Sequence, residues 1–206
     1  MLNTDIQYFG SISFVKTLFE QDQVYFDLEA PFTKMSFKNR MVITSSQGPL
    51  HLSIPIIGGR TQKTLIKDIL IASNATWNEQ HLKALKTNYK RSPFFEYYEQ
   101  GISDIYLHPK EKLVDFLLDC HVWLQSQLKA KWVILPTPID IGIPIKYFDT
   151  NLPKNYNQHQ GLPSYQQVFS DKVGFIPNVS ILDMLFCCGG KETNKLLVNP
   201  PLHPLL

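Results

Sequence analysis

The sequence predicts one α/β domain over residues 1–206, Rossmann-like or α+β, with a mixed sheet flanked by helices and a long irregular loop in the C-terminal third. Three observations predict it. A chain of 206 residues exceeds a minimal domain and falls short of two, so one core is expected. Apolar residues make up 44% and charged residues 18%, enough apolar material to bury that core and to argue against disorder. Segments that alternate with period two stand beside segments of helical period, as in a sheet covered by helices.

The elements follow in order. An apolar start containing Tyr8 and Phe9 leads to Ile12, Val15, Leu18 and Phe19, whose spacing predicts a short amphipathic helix over 11–20. Val24, Phe26 and Leu28 alternate as in a half-buried strand. Residues 41–44 read as a strand, Gln47-Gly48-Pro49 as a turn, and Leu50, Leu52, Ile54 and Ile56 as the returning strand of a β-hairpin or β-meander. Gly58-Gly59 closes that unit, and 65–71 resumes with strand-like composition. Thr76-Trp77-Asn78-Glu79 spells a capping box, in which the Thr76 hydroxyl accepts from the third amide on and Glu79 reaches back. Leu82, Leu85 and Tyr89 form the apolar stripe of that helix, with His81, Lys83, Lys86, Lys90 and Arg91 mostly outside it. Ser92-Pro93 stops it, because proline disfavours helical backbone in the residue before it.

A second, aromatic helix is expected over 94–105. Leu113, Phe116, Leu117, Cys120, Trp123, Leu124 and Leu128 mark a clear amphipathic helix over 111–128. Residues 132–135 read as a short buried strand. The stretch 140–165, rich in Pro, Asn, Gly and Gln, reads as an irregular loop of a length that in compact domains covers a site or moves. The last part, 170–206, is read as a C-terminal helix near 179–186, stopped by Gly189-Gly190, followed by a non-helical tail containing Asn199-Pro200-Pro201.

Several function classes are set aside. The first ten residues lack the basic start and apolar run of a signal peptide, and no window reaches the roughly 18 apolar residues of a membrane span. Cys120, Cys187 and Cys188 lack zinc-ligand spacing and sit in apolar helical patterns, so they read as small core residues in a reducing, cytoplasmic compartment. No metal site is expected. Phosphate-cradling loops, dinucleotide fingerprints and nucleophile elbows are absent. His121 reads as structural and His51 as facing solvent or a cleft.

The charge is segregated. Residues 30–91 hold ten Lys and Arg against only Asp68 and Glu79, a balance of +8, while the remainder holds ten basic residues and sixteen acids, a balance of −6. Such a field favours an anionic partner. Within it, Lys34 and Lys38 recur at a helical interval and Asn39-Arg40 adds directional donors, so this segment reads as an anion clamp or as an exposed edge guarded by lysines. His81, close in sequence to Trp77 on the capped helix, reads as a general acid/base or as a hydrogen-bonded structural histidine.

The succession Tyr8-Phe9 with Phe14, Val24-Tyr25-Phe26, Lys34 and Lys38-Asn39-Arg40 resembles the WbqC-like family of bacteria. So do residues 50–56, Lys63-Thr64-x-Ile66-x-Asp68, and Trp77-x-x-x-His81 through Tyr89-x-x-x-Pro93-Phe94-Phe95. Tyr165-x-Gln167-Val168-Phe169, Gly174-Phe175-Ile176-Pro177-Asn178 and Ser180-Ile181-Leu182-Asp183 resemble its Bacteroidetes-type branch. The opening departs from the family pattern: Gly10-Ser11 and Ser13-Phe14 stand where many members carry Pro and Gly-Tyr. The opening strand–helix–strand is also similar to nucleotidylyltransferases, although Ser13-Phe14 replaces their Gly-His pair.

The family resemblance implies a role beside enzymes that build surface polysaccharides, with acyl or aminoacyl transfer to an amino sugar as the suggested chemistry. In that reading Lys34, Lys38, Arg40, Lys63 and Trp77 bind a phosphorylated donor carried by coenzyme A or a nucleotide. Asn39 orients the substrate, His81 is the base and Asp68 orients it. The other reading is a non-catalytic binding or assembly protein for an anionic glycan or nucleotide. Nucleic acid is the weaker reading, because ordinary core aromatics explain the interleaved pattern equally well.

Overall fold

A computed structural model describes residues 2–57, 64–73, 76–108, 110–135, 156–158 and 161–198. The chain runs β1 (Leu2–Thr4), α1 (Ile12–Phe19), β2 (Gln23–Phe26), β3 (Arg40–Ser45), β4 (Gly48–Ser53), β5 (Ile56–Ile57), β6 (Leu70–Ile71), α2 (Trp77–Tyr89), α3 (Phe95–Leu107), α4 (Leu113–Leu128), β7 (Val133–Leu135), α5 (Ser170–Val173) and α6 (Ile181–Val198). Two 3₁₀ turns lie at Ile66–Asp68 and Tyr156–Gln158.

The α/β class stands, with the described strands distributed over three small sheets. β2 is the centre of a parallel sheet, pairing with β1 on one side and β7 on the other, so that Val24 opposes both Leu2 and Ile134. Parallel neighbours need a crossover, and α1 supplies it between β1 and β2. It forms because Ser11 caps it, accepting from the Phe14 amide at 3.4 Å, and because Ile12, Phe14, Val15 and Leu18 share a buried face. β3 and β4 form the expected hairpin in antiparallel register, Met41 opposite Leu52 and Ser45 opposite Gly48. The hydroxyl of Ser45 donates to the Gly48 carbonyl across the turn, where Gly48 takes φ 107°.

Four local expectations change. Residues 65–71 form a 3₁₀ turn and only two strand residues, since the Asp68 and Ile69 amides turn back to Leu65 and Ile66. Thr76 starts α2 without capping it by its side chain: its ψ of 34° departs from the extended backbone of a capping residue, and its hydroxyl accepts from Gln80 instead. The buried stripe of α2 is Trp77, His81, Leu85 and Tyr89, one residue every four, so His81 faces inward. The Gly189-Gly190 pair breaks α6 without ending it: Gly189 adopts φ 74° and ψ 162°, and the helix resumes to Val198. Most of the expected 140–165 loop, and the tail after Val198, lie outside the described residues.

The core is continuous. α1 and α4 pack on α6, α2 on α3, and rings of Tyr8, Phe14, Tyr89, Phe95, Phe116 and Phe186 fill the interior. At its centre the fully buried Asp183 accepts four hydrogen bonds. Oδ2 takes Thr44 Oγ1 at 2.5 Å and Tyr89 Oη at 2.6 Å; Oδ1 takes Tyr165 Oη at 2.7 Å and Gln167 Nε2 at 3.1 Å. Burial pushes this carboxyl up from its ordinary value, and the four donors oppose the rise. One side chain thereby ties β3, α2, the 165–167 segment and α6. Replacing it by Ala strands several buried donors at once, so Asp183→Ala is expected to cost about 3–5 kcal/mol, read as the drop in unfolding free energy in urea.

Candidate functional site

In open parallel α/β sheets ligands bind beyond the carboxyl ends of the strands. Here β1 ends at Thr4 and delivers Asp5, Gln7 and Tyr8, while β2 ends at Phe26 and delivers Asp27, whose amide bonds Thr4 O at 2.8 Å. The basic segment is laid along this edge by backbone pairing: Tyr8 N donates to Phe37 O at 2.8 Å, and Ile54 N donates to Asn39 O at 2.8 Å. Lys38 is therefore turned inward, 4% exposed, with its ammonium 3.8 Å from Asp5 Oδ2. That distance exceeds a hydrogen bond, and no described residue accepts one from Nζ. Asn39 is buried with its amide nitrogen committed to Ile54 O at 2.8 Å. Half-buried Arg40 follows on β3, its Nε buried with no acceptor among the described residues. Its charge and burial both push the nearby His51 down from its ordinary value.

The first turn of α1 is not open to a phosphate. Ile12 N donates to Val179 O at 3.0 Å, Ser13 N to Asn178 Oδ1 at 2.8 Å and Phe14 N to Ser11 Oγ. The chain itself occupies the amides at the place where the similarity to nucleotidylyltransferases would put a nucleotide.

His81 lies 5% exposed in an aromatic nest. Its Nδ1 is 2.9 Å from Tyr8 Oη, and that hydroxyl also meets Tyr106 Oη. Tyr8 stacks on the imidazole at 5.9 Å, Trp77 meets it edge-on at 5.3 Å, and Trp77 rests in turn on Phe116. Burial pushes His81 down to about 4, the Ser53 carbonyl opposing in part. Trp77 is thus a wall of the histidine's cage. Tyr8 and Tyr106 are buried phenols pushed well above their ordinary value by desolvation; Tyr106 adds to the rise of Tyr8, whereas the hydrogen bond with Tyr8 opposes that of Tyr106.

Of the residues singled out from sequence, Lys38, Asn39, Arg40, Trp77 and His81 thus cluster around the β1–α1 loop. Lys34 is exposed beside Met35, and Asp68 is exposed on its 3₁₀ turn without touching His81. Lys63 lies outside the described residues. Sequence reasoning missed Asp5 and Tyr106, and gave Tyr8 no chemical role. A position directly after the first strand of a strand–helix–strand unit was the available signal for Asp5. His121 is structural as expected, donating from Nε2 to Gln7 O at 2.8 Å and held down at about 4 by burial. The thiols are unpoised: burial pushes Cys120 and Cys187 well up and Cys188 up to about 12. Among the described residues no His, Cys, Asp and Glu are grouped to hold a metal, and no helix is long and apolar enough to cross a membrane.

Two buried histidines predict the response to acid. Both stay neutral in the folded chain down to about 4 and take protons near 6.5 in the unfolded chain. Their stabilising contribution is complete above pH ~6.5 and disappears as pH falls through 4, by something of order 3 kcal/mol each. Urea unfolding at pH 7.5 and pH 4.5 measures the loss, which is expected to shrink by about half in His81→Gln.

Comparison with known proteins bears on these residues as a set. The family model described as "WbqC-like protein family" matches residues 6–138 and 140–195. The chain is 23% identical over 221 residues to the "Uncharacterized protein Rv1507c" of Mycobacterium tuberculosis, covering 92% of this chain and 91% of that protein. No solved structure matches.

Proposed function

This chain belongs to the WbqC-like protein family, and from that premise we propose that it is a transferase. It moves an acyl or aminoacyl group from a phosphorylated donor to an amino sugar during assembly of bacterial surface polysaccharide. The donor's carrier is coenzyme A or a nucleotide. With a thioester donor the acceptor amine forms the new C–N bond to the acyl carbon, the C–S bond breaks, and the amine proton leaves with the thiol.

The observation that carries this reading is the incompletely paired Lys38 ammonium at the carboxyl edge of the parallel sheet. A buried cation costs several kcal/mol unless it is paired and hydrogen-bonded. Lys38 has one loose ion pair and three donors, so a phosphate or carboxylate arriving there supplies the missing acceptors. Arg40 Nε offers a second unused donor nearby in sequence. In this proposal His81 does not itself take the substrate proton, because an imidazole held near 4 is a weak base. It fixes the Tyr8 hydroxyl, and through it the loop that carries Asp5.

One observation favours the second reading, a non-catalytic binding or assembly protein. The imidazole is sealed in aromatic rings, as a structural histidine would be.

Thermal unfolding with coenzyme A, an acyl-CoA, a nucleotide and a nucleotide sugar tests the donor. A true ligand of the sheet edge at about a hundred times its Kd is expected to add roughly 2.7 kcal/mol to wild type and measurably less to Lys38→Met, provided that variant still melts cooperatively. A stabilising class that acts equally on both proteins rules out Lys38 as the clamp. Once a donor is known, turnover separates the readings: a transferase consumes the donor with an amino-sugar acceptor, and His81→Gln lowers that turnover by releasing the Tyr8 loop, whereas a binder leaves the donor intact.

A further inference from the structure

A second cavity lies away from the parallel-sheet edge, where the start of α3, the end of α4 and the break in α6 meet. It holds about 580 Å³, the size of sites that take a mononucleotide-sized molecule. Phe94, Tyr97 and Tyr98 form one wall. Tyr97 stands 78% exposed, perpendicular to Tyr98 at 4.9 Å, and Phe94 is partly exposed beside it. Both rings are exposed, Tyr97 in contact with Tyr98 and Phe94 with Gly189.

The lining is also basic. Lys129 and Lys191 line the cavity, and neither has an ion pair among the described residues. The one acid on the rim, Glu192, is engaged by Lys195 at 3.4 Å. Lys129 occupies the residue after α4 at φ 48° and ψ 42°, a left-handed conformation that suits glycine and costs a side-chain-bearing residue about 1 kcal/mol.

The floor is built by close approach. A Cβ on Gly189 would lie 2.9 Å from the Phe94 ring, and one on Gly190 would lie 2.3 Å from the Gln127 carbonyl oxygen. Tyr98 Oη accepts from the Gly190 amide at 2.8 Å, fixing the wall to the floor. Two glycines thus let the broken helix lie against α4 and set the angle of the rings.

We infer that this cavity binds a nucleoside phosphate, the base stacked on Tyr97 and Phe94 and the phosphate between Lys129 and Lys191. Base–aromatic stacking is tolerant of base identity, and lysine serves phosphate as a point charge without bidentate geometry. This site is independent of Lys38, and its test is arranged to keep the two apart.

Calorimetric titration uses AMP and UMP as probes, with adenosine and ribose 5-phosphate as the base-only and anion-only arms. At least one nucleotide is expected to bind, and each half-ligand at least about tenfold more weakly, a difference of 1.4 kcal/mol. Tyr97→Ala, at an exposed position, and Lys129→Gly, which relieves the left-handed strain, are both expected to fold and to weaken the nucleotide at least tenfold. Lys38→Met is expected to keep the binding event that Tyr97→Ala removes. No binding of either nucleotide at millimolar concentration overturns the inference. So does ribose 5-phosphate binding as tightly as the nucleotide, or binding abolished by Lys38→Met and kept by Tyr97→Ala, which would put the nucleotide at the sheet edge.

Discussion

The four hydrogen bonds to Asp183 are the constraint on which the rest of the molecule depends. The described strands are short and divided among three small sheets, and isolated two-stranded units are marginal in water. They need an external tie, and the carboxylate supplies it by gathering Thr44 of the hairpin, Tyr89 of α2, and Tyr165 and Gln167 of the segment before α5. A fully satisfied buried network of this kind specifies a unique arrangement, because every alternative leaves a donor stranded in a medium that cannot solvate it.

Asp183 and Lys38 make an instructive contrast. Both are charged side chains withdrawn from water, yet one has its acceptor capacity filled by protein and the other has, among the described residues, a single partner at 3.8 Å. Burial alone therefore separates nothing. The informative quantity is the balance between the hydrogen bonds a group can make and those it does make. By that measure Asp183 belongs to the scaffold, Lys38 keeps donor capacity that no described residue fills, and His81, bonded to Tyr8 inside its cage, stands nearer to Asp183.

Much of this was legible in the sequence, for local reasons. The helices around α1, α3 and α4 and the hairpin follow from periodicity and turn residues, which act over a few positions. The cluster of Lys38, Asn39, Arg40, Trp77 and His81 was partly legible, since charge segregation pointed to the region. What failed depended on distant partners. His81 reads as a polar residue on an exposed flank until Tyr8 and Tyr106 arrive, 73 residues before it and 25 after, to give its ring an interior. Gly189-Gly190 reads as a helix stop until α4 and Phe94 are seen pressed against it, where only glycine leaves room for the chain to continue. Asp183, within an apolar run, carries no local sign of the four donors that converge on it.

The β1–α1 loop has a further consequence, for the order in which the molecule is made. Gly10 and Ile12 are bonded to Ile181 and Val179, Ser11 bridges Ser180, and the Ser13 amide rests on Asn178. Helix α1 thus has the start of its scaffold supplied by residues some 165 positions later in the chain, and β2 likewise waits for β7. Sequence-distant closures of this kind fold slowly and expose apolar surface meanwhile. Until residues 178–181 are in place, Phe9, Phe14 and Leu18 lack part of their final cover, so the fold around α1 closes only when distant parts of the chain meet.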